Sequence, residues 1–175
     1  VVESNVHFPT DYNLLWDSAR KCLESIAHLQ KKHDLPGWRK ASNWGRDLKN
    51  KMRALGRAGA SGGKGKEKRV KNAAQLCLEK AKALPKKLEC SKAATPPDIK
   101  AEVKRLTELE SFMKFLHKRI DLLERRIIES ETIPHCKKMF SIFEDYTEWI
   151  AKGKMRPNVE LGKKIGITTD QFNLI

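Results

Sequence analysis

Residues 99–127 read IKAEVKRLTELESFMKFLHKRIDLLERRI. Ile99, Leu106, Met113, Ile120 and Ile127 recur every seven residues, and Leu109, Leu116 and Leu123 fill a second seam. Seven residues are almost two full α-helical turns, so both sets fall on one side of a helix and make a coiled-coil-like stripe. A stripe of this width is a packing face, and it sets the expectation for the whole chain: helices packed on helices.

Working back towards the N-terminus, Val70, Ala74, Cys77, Ala81, Leu84 and Leu88 alternate spacings of four and three. That predicts a further helix, joined to the first through the turn Ala93-Ala94-Thr95-Pro96-Pro97 in an antiparallel hairpin. Pro85 lies inside this pattern and predicts a kink or an early stop, because it removes a backbone donor. Before it, Gly56 to Gly65 reads as a flexible basic loop. No strand followed by Gly-Lys-Ser/Thr is present, so nucleotide binding at those glycines is excluded. Trp44, Leu48, Met52 and Leu55 predict a helix from about Ala41 to Leu55. Leu15, Ala19, Cys22, Ile26 and Leu29 predict another, opened by Thr10-Asp11 with Asp11 as its cap and closed by His33-Asp34-Leu35-Pro36-Gly37.

Beyond Ile133-Pro134 the helical period is lost. Phe140, Ile142, Phe143, Tyr146 and Trp149-Ile150 form an aromatic, partly extended segment, and Glu160 to Thr169 alternates as a strand does. Asp170-Gln171 fits a hairpin turn. At the other end, Val1-Val2-Glu3-Ser4-Asn5-Val6 reads as the end of a strand. An apolar strand edge at each terminus is an aggregation liability, which predicts a segment of a longer protein. The expected architecture is therefore mainly α: residues 1–9 end a sheet strand, residues 10–132 form a basic insertion of four helices, and residues 133–175 return to an incomplete sheet.

The 175 residues carry a formal net charge of +14, and it is concentrated in one region. Residues 36–92 hold 17 Lys+Arg against 4 Asp+Glu, a net of +13, whereas residues 1–35 carry −1 and residues 93–175 carry +2. A field concentrated on a third of the chain points to a polyanion, because each phosphate neutralised releases condensed counterions. Arginines and the tryptophans Trp38 and Trp44 interleave with the lysines, which favours nucleic acid over a merely solubilising surface, and the apolar positions here read as core positions, which disfavours a membrane surface. No apolar run approaches the roughly 20 residues that span a bilayer. Cys22, Cys77, Cys90 and Cys136 are widely separated and form no Cys-x-x-Cys, so a zinc ribbon is not indicated and a reduced cytosol is the expected compartment.

Catalytic chemistry finds no complete set of groups. Glu3, Asp11, Asp17, Glu144, Asp145, Glu148 and Asp170 show no spacing that converges on a metal pair. His28 and His33 are five apart, not the four that would place them on one helical face, and Cys-His catalysis has no local support.

The flanks carry a resemblance. Val1-Val2-Glu3-Ser4-Asn5-Val6-His7-Phe8-Pro9-Thr10-Asp11 with Leu14-Leu15-Trp16-Asp17 resembles a stretch of bacterial insertion-sequence transposases of the DDE, RNase H-like class. Ser141-Ile142-Phe143-Glu144, Thr147-Glu148-Trp149-Ile150-Ala151-Lys152-Gly153-Lys154 and Val159-Glu160-Leu161-Gly162-Lys163 resemble a second stretch of that family, at a matching distance. Asp145-Tyr146 departs from the pattern, where Pro-His is expected. The resemblance implies a mixed RNase H-like sheet in which three acidic residues hold two metal ions, magnesium or manganese in the complete transposase. It places the first acid just upstream of Val1 and the other two beyond Ile175, so no catalytic residue and no metal ligand is assigned here. It implies transposon-end DNA as partner, in a bacterial cytoplasm and at the nucleoid. Arg39, Lys40, Arg46, Lys49, Arg53 and Arg57 are then the expected phosphate contacts, with Lys152 and Lys154 beside a turn at Gly153. The chain is expected to bind DNA and to be inactive alone. A stand-alone basic helical module is the alternative; a homodimer joined through the stripe from Ile99 to Ile127 is a third.

Overall fold

The structure is a computed structural model that describes residues 10–93, 102–134, 137–138, 140–142, 147–151, 153 and 159–163. It divides into two units: Thr10–Lys138, and Val1–Pro9 together with Met139–Ile175.

The first unit is helical. Helix α1 (Asp11–His33) is opened by Thr10, whose backbone is extended and whose Oγ1 accepts the Asn13 N–H at 3.3 Å. Thr10, not Asp11, is therefore the cap. Asp11 is the first helical residue and pairs with Arg126. The helix stops at Asp34, which turns left-handed (φ 46°) and donates its N–H to the Gln30 carbonyl. Helix α2 (Ala41–Ala60) runs five residues beyond the expected end at Leu55. Gly56 and Gly59 lie inside it, so the connection to α3 shrinks to residues 61–65. Each helical glycine costs up to about 1 kcal/mol relative to Ala, and burial of Leu48, Met52 and Leu55 on one face offsets it.

Helix α3 (Lys66–Ala93) continues through Pro85, where a stop or kink was expected. Pro85 is itself buried, in line with Ala81, Leu84 and Leu88, so packing outweighs the missing donor. Helix α4 (Val103–Leu123) carries the heptad stripe and passes into a π-helical turn, Glu124–Ile128. Leu109, Met113, Leu116, Ile120 and Leu123 are buried as their spacing requires; Ile99 and the turn at residues 94–97 lie outside the described residues.

The four helices form an antiparallel ring. Asp47 of α2 meets Lys80 of α3, Lys82 and Lys92 of α3 meet Glu124 and Glu110, and Glu102 beside the start of α4 meets Lys32 and His33 at the end of α1. Helix α4 makes its largest contact with α1, not with α3, its expected hairpin partner. The face of α1 that is buried is lined by Leu15, Ala19, Cys22, Ile26 and Leu29 along its length. The part of the stripe from Leu109 to Leu123 is thus buried inside the chain.

The second unit holds an antiparallel pair of strands, β1 (Glu148–Ala151) and β2 (Val159–Gly162), with Trp149 opposite Leu161 and Ala151 opposite Val159. The Phe140 and Trp149 rings pack 5.7 Å apart. The strand expected over Glu160 to Thr169 is described only as far as Gly162. The strand end at residues 1–9 and the turn at Asp170-Gln171 lie outside the described residues. Among the described residues, no helix is long and apolar enough to cross a membrane.

Candidate nucleic-acid interface

The sequence of α2 has two opposed faces. Ala41, Leu48, Met52 and Leu55 are buried against α1 and α3. Arg46, Lys49, Arg53 and Arg57, spaced three, four and four, fall on the opposite face and are all exposed. At 1.5 Å per residue this stripe is about 16 Å long. Its exposed neighbours are Ser42, Asn43 and Asn50, none of them acidic. Arg39 and Lys40 precede the helix and are exposed as well.

Asp47 is the only acid on α2, and it lies to the side of the stripe. Lys80 reaches it at 2.8 Å from α3 and Lys51 at 3.7 Å from the next turn. The hydrogen bond from Lys80 holds the Asp47 carboxyl below the usual carboxylate range.

The fold sorts the basic region into two classes. Lys51, Lys71, Lys80, Lys82 and Lys92 pair with carboxylates of the same chain. Lys87 donates to the Gly37 carbonyl at 2.7 Å, and Lys49 sits 5.3 Å from the Trp16 ring centre. By contrast, Arg39, Lys40, Arg46, Arg53 and Arg57 have no side-chain partner among the described residues. Lys80, Lys82 and Lys92 of α3 therefore pair across to other elements, while the α2 arginines keep their charge for an external anion.

The tryptophans do not play the part that their place in the basic region suggests. Trp38 is 1% exposed. Its indole N–H donates to Ser91 Oγ at 2.6 Å, and that hydroxyl donates to the Lys87 carbonyl at 2.9 Å. The Lys87 ammonium lies 4.4 Å above the same ring, and the Lys80 ammonium 3.8 Å from the centre of Trp44. These indoles are braces between α2 and α3, with lysines over their faces. The interleaving of Trp with Lys is a packing pattern: Trp38 is enclosed, and the half-buried Trp44 carries the Lys80 ammonium over its ring.

Of the expected sites, the structure brings Arg46, Lys49, Arg53 and Arg57 onto one face and places Arg39 and Lys40 before it. Lys152 and Lys154 lie outside the described residues; Gly153 between them has a left-handed φ of 65°. A second group of exposed cations, Lys64 in the connection and Lys66 and Lys68 in the first turn of α3, lies outside the residues expected to contact phosphate.

Nucleophilic and metal chemistry are poorly served by the described residues. Burial pushes the Cys22 thiol up to about 12 and the Cys77 thiol up to about 11, which suppresses their thiolates. Among the described residues no three of His, Cys, Asp and Glu come together in a way that holds a metal ion.

No protein-family model, curated protein or solved structure matches the chain.

Proposed function

We propose that this chain is the DNA-holding part of a DDE-class transposase, with a helical unit that grips duplex DNA by its phosphates. The observation that carries the reading is the outward stripe of α2, Arg46, Lys49, Arg53 and Arg57, with no acid on that face and Asp47, to its side, paired with Lys51 and Lys80. Guanidinium groups on a rigid helix are suited to phosphate oxygens, which they meet with paired donors. Enclosure of Trp38, together with the lysine over the half-buried Trp44 ring, favours a duplex over a single strand, since single-strand binders use aromatic stacking. The same face has no large apolar residue to enter a bilayer, which disfavours a membrane surface. Phosphate contacts of this kind position DNA without reading its sequence.

In this reading the RNase H-like sheet, its three acids and their magnesium or manganese belong to the complete transposase, and the chain alone cuts nothing. The residues that carry the family likeness are those quoted at both flanks. The coding sequence on either side of the chain tests it: an aspartate shortly before Val1 and two acids after Ile175 fit the family, and their absence removes it. The stand-alone module is the second reading, favoured by a helical unit that closes its own core.

The binding test is a salt series. Fluorescence anisotropy with a 20-base-pair duplex is measured for the 175-residue chain and for R46A/R53A/R57A. Each phosphate contact contributes about 0.9 to the slope of log affinity against log salt, so the triple variant is expected to flatten it by about 2–3 units. An unchanged slope means that the stripe faces solvent, and the proposal fails.

A further inference from the structure

The connection between α2 and α3 reads Ser61-Gly62-Gly63-Lys64-Gly65, a composition suited to a floppy linker. The structure holds it in one shape. Ser61 donates its N–H to the Arg57 carbonyl at 3.0 Å and its hydroxyl to the Ala58 carbonyl at 2.9 Å. From the other side, the Arg69 guanidinium forks onto two carbonyls of the turn, Gly62 at 2.7 Å and Lys64 at 3.0 Å. Gly63 (φ 87°) and Gly65 (φ 77°) supply the left-handed backbone that lets both carbonyls point towards Arg69.

The charge on this turn and on the first turn of α3 is one-sided. Lys64, Lys66 and Lys68 are exposed and have no side-chain partner among the described residues. The one acid nearby, Glu67, is taken by Lys71 at 3.1 Å. Arg57, the last cation of the α2 stripe, lies four residues before the turn.

We infer that this clamped turn is a second phosphate-contact element, through which Lys64, Lys66 and Lys68 extend the α2 track along the same duplex, with Arg69 as the residue that positions them. The inference rests on the DNA reading above. It differs from that reading in naming residues off α2 and in requiring a fixed turn. From Arg46 to the end of α2 is about 21 Å, against about 16 Å for the stripe alone, and the turn carries cations beyond that point. At 3.4 Å per base pair the track grows from about five base pairs to six or more. Clamping matters because a lysine on an ordered turn loses less freedom on binding than one on a linker. Lysine in place of Arg69 keeps the charge but cannot fork onto two carbonyls.

The experiment uses the 175-residue chain with the same duplex and salt series. K64A/K66A/K68A is expected to flatten the slope by about 2–3 units, and K64E alone to lower affinity at low salt at least threefold. R69K is expected to keep the wild-type slope and melting temperature while lowering affinity several-fold. A wild-type slope that both lysine variants leave untouched overturns the inference and leaves the α2 reading standing. R69K with wild-type affinity overturns the positioning role. A wild-type chain whose binding ignores salt overturns the DNA reading, and the turn with it.

Discussion

The Lys80 ammonium lies 2.8 Å from the Asp47 carboxylate, tying α3 to the only acidic residue of α2. The same ammonium sits 3.8 Å from the centre of the Trp44 ring. One lysine therefore neutralises the carboxylate nearest the arginine stripe and covers an aromatic face. Asp47→Asn removes the charge and keeps the shape. An exposed ion pair contributes up to about 1 kcal/mol, so chemical denaturation is expected to show a loss no larger than that. Lys51 and Lys80 then lose their counter-charge, and affinity for duplex DNA is expected to rise a few-fold at low salt. Lower affinity would mean that Asp47 orders the face that binds.

The enclosure of Trp38 separates a brace from a stacking surface. Trp38→Phe removes the indole N–H from Ser91 and about a ring's volume from a fully buried site. Together these are expected to cost about 1–3 kcal/mol in urea melts. The slope of log affinity against log salt is expected to stay at the wild-type value. A large loss of DNA affinity at unchanged stability would place the ring in the interface.

What the sequence makes legible, and what it hides, follows from the range of the interactions. The buried faces of α1, α3 and α4 are visible because an apolar period is a local property: Leu15, Cys22 and Leu29, or Leu109, Leu116 and Leu123, fall on one side whatever they pack against. The partner of α4 is not visible, because stripes on α1 and α3 are equally able to cover it and only the three-dimensional arrangement chooses α1. The lengths of α2 and α3 are misjudged at Gly56 and Pro85, where local propensity argues for an end and tertiary burial overrides it. In the candidate site, the alternation of arginines with core residues along α2 is local and legible. The division between engaged and free cations is not, since it depends on partners such as Asp47 with Lys80, or Glu124 with Lys82, that are far apart in the chain.

Three cysteines give a solution test of the bundle. Cys22 and Cys77 are buried and Cys90 is exposed on the last turns of α3. Thiols pushed up to about 12 and about 11 hold, at pH 8, thiolate fractions of about one in ten thousand and one in a thousand. In a Cys136→Ser background, a chromogenic disulfide is expected to react promptly with one thiol in the folded chain. It should reach the other two only as fast as the helices open, with urea raising that rate. Prompt reaction of all three would mean that α1 and α3 do not share this core.

The junction of α1 with the start of α4 carries a pH dependence of determinate sign. The Glu102 carboxylate meets Lys32 and lies 3.3 Å from His33 Nε2. The hydrogen bond from Lys32, with a smaller one from His33, lowers the carboxyl from its ordinary value in the folded state. A carboxyl lower in the folded than in the unfolded chain contributes stability above its unfolded value, about 4.3, and loses it as pH falls through the folded one. Glu102→Gln removes the contribution without changing the size of the side chain. Urea denaturation is expected to find the variant less stable than wild type at pH 7, and the gap is expected to close as pH falls through the lowered folded value of the wild-type carboxyl, where that group also takes up its proton. A gap that persists unchanged at low pH would assign the loss to packing at residue 102, and would leave the ends of α1 and α4 held together by something other than this carboxylate.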